Sequence, residues 1–186
     1  MLVRMKLYAI SIWALLDPVY YLFTRLRYID RHQSIFRVRL TNYKGFPVTL
    51  SDGTTIKKND KLIKIHLHNI RIIKEMYGVK SETAKGRIIY NKVKEGLPGV
   101  AEFINNHPKR DEIKGLIGIT MLNKGCRRLG FDDFSLKNRY YRFVKQMVFI
   151  PMYCLTVSNI SKTSLKRNPK YLFMSKDCLM TKYLKK

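Results

Sequence analysis

Ile35-Phe36-Arg37-Val38-Arg39-Leu40-Thr41 alternates apolar side chains with arginine. A repeat of two residues is the signature of a strand, and here it predicts one buried face and one basic face. Asn42 to Gly45 reads as a turn into Phe46–Leu50, and Ser51-Asp52-Gly53 is a strong hairpin signal. After Lys57 to Asp60, the run Leu62 to His68 is a further strand, with Ile63, Ile65 and Leu67 opposite His66 and His68. Residues 35–68 are therefore expected to form an antiparallel meander of three or four strands. Its apolar face needs covering, which calls for helices from both ends of the chain.

Helical spacing supplies them. Leu7, Ile10, Ala14, Val19, Leu22, Phe23 and Leu26 recur at threes and fours, so residues 5–28 read as helix, kinked or split at Asp17-Pro18. Asn69 can cap a helix over 70–77 that stops at Gly78, and Ser81 one over 82–95 that stops at Gly96. Pro98 suits the first turn of a short helix reaching about Asn106. Gly115–Leu122 and Phe131–Leu136 are strand-like, separated by a turn that Asn123 can cap and Gly130 ends. A helix over 138–149, a strand at Tyr171–Met174 and a helix over 176–184 capped by Ser175 complete the chain. The expected fold class is α+β, as one domain over 1–186.

The chain carries 37 Lys plus Arg against 13 Asp plus Glu, a net charge of +24. Solubility needs a magnitude of only about 2–8 in a small domain. The excess points to an anionic partner, either a membrane surface, an envelope polymer or nucleic acid. Residues 137–186 alone hold 12 of the basic residues and one acid, Asp177. With 46% hydrophobic residues, the chain has ample material for a core. Leu7–Thr24 is interrupted by Asp17-Pro18, and Gln146–Ile160 is short and contains Pro151, so neither reads as a membrane span. No secretory signal is expected, because no small-residue cleavage site follows an uninterrupted apolar core. Cys126, Cys154 and Cys178 show no C-x-x-C spacing and fit free thiols in a reducing compartment. The expected location is cytoplasmic, with peripheral membrane association compatible.

Neither G-x-x-x-x-G-K-[ST] nor G-x-G-x-x-G nor G-x-S-x-G occurs. Gly115-Leu116-Ile117-Gly118 has the spacing of a nucleic-acid loop, but its apolar interior fits a buried strand better. His66 and His68 share a strand face without a nearby acid, so no metal site and no cofactor are expected. Tyr140, Phe143 and Met147 fall on one helical stripe flanked by Arg139, Arg142 and Lys145. Packing against the core is its expected role. A membrane-surface helix would look similar, and base stacking is a third reading.

In order along nearly the whole chain, several segments resemble the YkoP-like family of small proteins. They are Ile12-Trp13-Ala14-Leu15-Leu16-Asp17-Pro18 with Tyr20-Tyr21, Gly45 to Gly53, and Asn59-Asp60 through His66-Leu67-His68-Asn69. Gly118-Ile119-Thr120-Met121-Leu122, Arg128-Leu129-Gly130-Phe131 and Phe173-Met174-Ser175-Lys176-Asp177 follow. The family pattern has Gly-Asp where this chain has Asn59-Asp60, and it does not require His68. A similar domain occurs C-terminal to some polysaccharide deacetylase domains. The resemblance therefore implies a loose link to envelope polysaccharide, but not deacetylation, since that catalytic region is missing from this sequence.

The expected function is a basic accessory or binding domain acting on an anionic surface. Two alternatives stand beside it: a small enzyme on an anionic substrate with His66 as acid/base, and a nucleic-acid-binding protein. The candidate site is His66 at a strand end, Asn69 at the start of the next helix, and Arg127 or Arg128 as anion partners.

Overall fold

The computed structural model describes residues 26–29, 35–122, 125–156 and 168–184, without the side chains of 69–70 and 151–156. Its elements run β1 (Arg27–Tyr28), β2 (Phe36–Asn42), β3 (Val48–Thr49), β4 (Thr55–Ile56), β5 (Lys61–Leu67), α1 (Asn69–Glu75) and α2 (Glu82–Asn105). They continue with β6 (Ile113–Thr120), β7 (Asp132–Ser135), α3 (Arg139–Thr156), β8 (Lys170–Ser175) and α4 (Lys176–Tyr183). Six strands form one sheet in the order β1-β2-β5-β6-β8-β7, and β3-β4 form a separate two-stranded sheet. Among the described residues only the β5–β6 pairing is parallel, because α1 and α2 carry the chain back to the starting side of the sheet between them. This is an α+β fold, as the sequence pattern predicts.

Alternation decides the faces. Phe36 and Val38 of β2, Ile63 of β5, Leu116 of β6 and Leu172 and Met174 of β8 point into the main core. Ile72, Ile73 and Met76 of the α1 region, Leu97, Val100, Ala101 and Ile104 of α2, and Leu179 of α4 cover them. The two helices expected on either side of Gly96 are one continuous helix. Its buried residues Leu97, Val100, Ala101 and Ile104 recur at threes and fours across Pro98, so burial of that stripe outweighs the lost hydrogen bond. The carbonyl that Pro98 leaves without a helical donor belongs to Lys94, an exposed position that water can reach. Gly96 lets the helix approach the sheet, since a Cβ there would lie 2.8 Å from the Phe36 ring.

Ser81 and Ser175 cap α2 and α4, accepting from the backbone N–H of Ala84 and Cys178 respectively. At α1 the cap position falls one residue earlier than expected: His68 is the N-cap and Asn69 the first helical residue. The helix expected over 5–28 does not extend to its end, where Arg27 and Tyr28 pair with Val38 and Arg37 as an edge strand. The remainder of that expectation lies outside the described residues, as does the Asn123 cap.

The meander also differs in its middle. β2 pairs directly with β5 from Phe36↔Leu67 to Asn42↔Lys61, and the β3–β4 hairpin folds across the opposite face instead of joining the sheet. There Tyr43, Leu50 and Ile56 close on Leu62, Ile117 and Phe173 as a second core. The hairpin is pinned at its tip. Asp132 accepts from the Ser51 backbone N–H and hydroxyl, and Asp52 accepts from the Ser175 hydroxyl. At the return to β5, Asn59 takes a left-handed backbone with φ 73° and donates to the Tyr43 carbonyl. That conformation costs most side chains about 1–2 kcal/mol, asparagine less and glycine nothing. The glycine that the resemblance implies at this place would thus have a backbone reason. Asn59→Gly is expected to raise the urea midpoint slightly, by at most about 1 kcal/mol of stability.

Candidate functional site

The second face of the sheet has two halves. The hairpin roofs one half with apolar side chains, whereas the other half is basic. Arg37 and Arg39 of β2 stand directly opposite His66 and Lys64 of β5. Across β1 the partner of Arg37 is Tyr28, whose ring lies 4.7 Å beneath the guanidinium. Tyr28 also meets His68 edge-on at 6.0 Å between ring centres. Lys145 of α3 belongs to the same cluster, 5.3 Å above the Tyr141 ring, and its charge is felt at both Lys64 and His66.

This crowding shows in the protonation equilibria. Burial, then the charges of Lys145 and Arg39, bring the Lys64 ammonium down to about 8. Burial and the charge of Arg39 lower Lys145 as well. His66 is brought down to about 3, first by burial and then by Lys64, Arg39, Lys145 and Arg37. The imidazole is therefore neutral at physiological pH and a weak base there. Such a group suits hydrogen bonding better than proton transfer.

Helix α3 covers this basic half the wrong way round for a surface helix. Tyr141, Arg142, Lys145, Gln146, Phe149 and Ile150 are the more enclosed positions, and Phe149 and Ile150 pack on Met121 at the end of β6. Tyr141 also shares a hydroxyl hydrogen bond with Tyr171 of β8. Outward point Tyr140, 78% exposed, Phe143, 60%, and Met147, 56%, together with Val144 and Val148. The stripe expected to pack against the core instead faces away from it. Tyr141 and Lys145 face the basic strand half and Phe149 and Ile150 pack on Met121, which leaves the stripe on the helix's other side. No helix among the described residues is long and apolar enough to cross a membrane.

The structure does not bring His66 together with Arg127 or Arg128. His66 sits on the basic half of the second face. Arg127 is exposed and donates to Asp133, which also pairs with Lys170. Asp133 is the partner of Leu172, a residue of the main core, so this ion pair belongs to the opposite face of the sheet. It also lies three strands away from β5. Arg128 is exposed on the same 3-10 turn, Cys126–Leu129, and Asn69 begins α1. The cations that do surround His66 are Arg37, Arg39, Lys64 and Lys145. Three were visible as the basic side of an alternating strand or its neighbour, but only the β2–β5 register makes them one group.

Comparison with known proteins agrees on one family. The YkoP domain model matches residues 6–183. The Uncharacterized protein YkoP of Bacillus subtilis (strain 168) is 51% identical over 183 residues, covering 98% of this chain and 100% of that protein. No solved structure matches. With a family match across nearly its whole length and half its residues shared with that relative, the chain belongs to the YkoP domain family.

Proposed function

We propose that this protein is a peripheral binding module that docks on anionic lipid surfaces through the outward face of α3. The observation that carries the reading is the stripe Tyr140, Phe143, Val144, Met147 and Val148, five large apolar side chains exposed on one helix face. Contiguous exposed apolar surface rimmed by polar groups marks interaction sites. Charge selects the occupant. Residues 134–176 contain nine Lys or Arg and no Asp or Glu, with Lys137 and Arg139 exposed beside the stripe. An apolar face with basic flanks is the arrangement of a helix lying in the interface of an anionic bilayer. Each Lys or Arg near such a surface adds about 1 kcal/mol of attraction, screened by salt.

Sedimentation with vesicles tests it. The protein is expected to bind vesicles containing phosphatidylglycerol and not neutral phosphatidylcholine, with affinity falling as salt rises. Phe143→Ser with Met147→Ser removes two side chains whose full burial is worth about 1.5–3 kcal/mol each, so affinity should fall at least about tenfold. Binding to an oligonucleotide, which depends on charge alone, should not change in that variant. Absence of vesicle binding at low salt would defeat the reading. So would a dimer that the same double substitution converts to monomer, since a second copy would then cover the stripe.

A further inference from the structure

Resting on the lipid-docking reading of α3, we infer that the loop Lys44-Gly45-Phe46-Pro47 is a second insertion point for the anionic bilayer. The protein then docks at two points, the Phe46 ring and the outer stripe of α3, and takes one orientation, with the base of the β3–β4 hairpin turned to the lipid.

Phe46 is 62% exposed, and the loop is built to hold it out. Single exposed apolar side chains are common on protein surfaces, but a brace behind one is not needed unless its place matters. Tyr43, buried in the second core, donates its hydroxyl to the Phe46 carbonyl at 2.8 Å. A Cβ at Gly45 would collide with the Tyr43 ring, so glycine lets the loop wrap closely round it. Pro47 keeps the backbone of Phe46 out of the helical region. The backbone is thus held on both sides of Phe46 while its ring stays in solvent.

Its position joins it to α3. The ammonium of Lys137 lies 5.3 Å from the centre of the Phe46 ring, and Lys137 comes three residues before Tyr140, the first side chain of the exposed stripe. Phe46 therefore adjoins the N-terminal end of that helix. Charge selects the occupant. Tyr43 ties the loop to the next turn, donating its N–H to the Asp60 carbonyl and accepting from the Asn59 N–H. Lys57 and Lys58 of that turn are exposed, as are Lys44 and Lys137, whereas the Asp60 carboxylate pairs with Lys114. Lysine is depleted where proteins meet proteins, but it suits a bilayer surface. There an aromatic ring enters the acyl boundary while ammonium groups stay among the headgroups.

Phosphatidylglycerol vesicles and the full chain test it. Phe46→Ser is expected to lower vesicle affinity about tenfold. Its urea midpoint should stay at the parent value, because residue 46 meets Tyr43 through its backbone carbonyl. Phe46→Trp should keep the affinity. On vesicles, its emission beyond that of the parent's single tryptophan should shift to the blue and be quenched by brominated lipid. Full affinity in Phe46→Ser, or extra emission that brominated lipid leaves unquenched, would overturn the second insertion point while leaving the docking of α3 intact. A parent that binds no vesicles at low salt overturns both. Oligonucleotide binding that falls with Phe46→Ser would assign the ring to base stacking instead. Without lipid, a blue shift in Phe46→Trp that grows with protein concentration would assign it to a second copy, and either result overturns the inference.

Discussion

Phe173→Ala is expected to remove about 3–5 kcal/mol of stability. Phe173 is fully buried in β8 at the centre of the second core, between the hairpin and the sheet. Its ring meets Tyr43 at 5.4 Å and nearly perpendicular, Tyr171 at 5.7 Å and Phe134 at 5.8 Å. Each aromatic contact of this kind adds about 0.5–1.5 kcal/mol beyond burial. The neighbours cannot close the space, since Tyr43 is held by donating its hydroxyl to the Phe46 carbonyl and the hairpin tip is tied to β7 by Ser51 donating to Asp132. Against a total of about 5–15 kcal/mol, the loss leaves a marginal fold. Phe173→Leu, which keeps most of the volume, should cost much less. Urea unfolding of both variants measures this, and a cost below about 1 kcal/mol for alanine would mean that the hairpin is not a structural part of the core.

Stability should fall steeply on mild acidification, and His66→Gln should flatten that fall. In the unfolded chain the imidazole takes up its proton near 6.5, whereas in the fold it does so only near 3. Above 6.5 neither state holds the proton and no penalty exists. As pH drops below 6.5 the unfolded state binds more protons, and stability declines with a slope approaching about 1.4 kcal/mol per pH unit. Between pH 7 and 5 the loss reaches up to about 2 kcal/mol. The window stops at 5 because carboxylates join below it. Lys64, Arg39, Lys145 and Arg37 all oppose protonation of this ring, so no facing group in that set reverses the sign. Lys64 acts in another range: its penalty is present below about 8 and is relieved between 8 and 10.5. A urea midpoint that is flat from pH 7 to 5 in the parent would show that His66 is not enclosed.

Local pattern carried much of the fold. Strict alternation in Phe36–Leu40 and Ile63–Leu67 specified two strands and their buried sides, and Ser81, Ser175, Gly78 and Gly130 marked element ends through backbone chemistry that acts within four residues. The hairpin turn at Ser51-Asp52-Gly53 was equally local, but its place was not. Whether β3 and β4 extend the sheet or fold over it depends on Leu62, Ile117 and Phe173, which come from three distant strands. Pro98 misled for the converse reason, because the stripe that holds α2 together is only complete once the sheet beneath it exists.

The site was less legible. His66 was picked out by residue type, but its surroundings arise from a register and from a helix about eighty residues later in the chain. The direction in which α3 points its apolar stripe has no local signature at all. Periodicity shows that a helix has two faces and leaves open which one the protein keeps for itself.

Strand β8 has a consequence for the order in which the molecule can assemble. It lies between β6 and β7, and among the described residues β7 has no other neighbour in the sheet. During synthesis, β6 and β7 emerge about thirty-five to fifty residues before the strand that joins them. Phe173, Met174 and Leu172 reach both cores together, in one six-residue stretch. A nascent chain ending before residue 170 can therefore pair β2 with β5 and β5 with β6, but it leaves one edge of β6 open and both cores unfilled. Until β8 arrives, that open strand edge beside two apolar surfaces is where a chaperone, or another nascent chain, would attach.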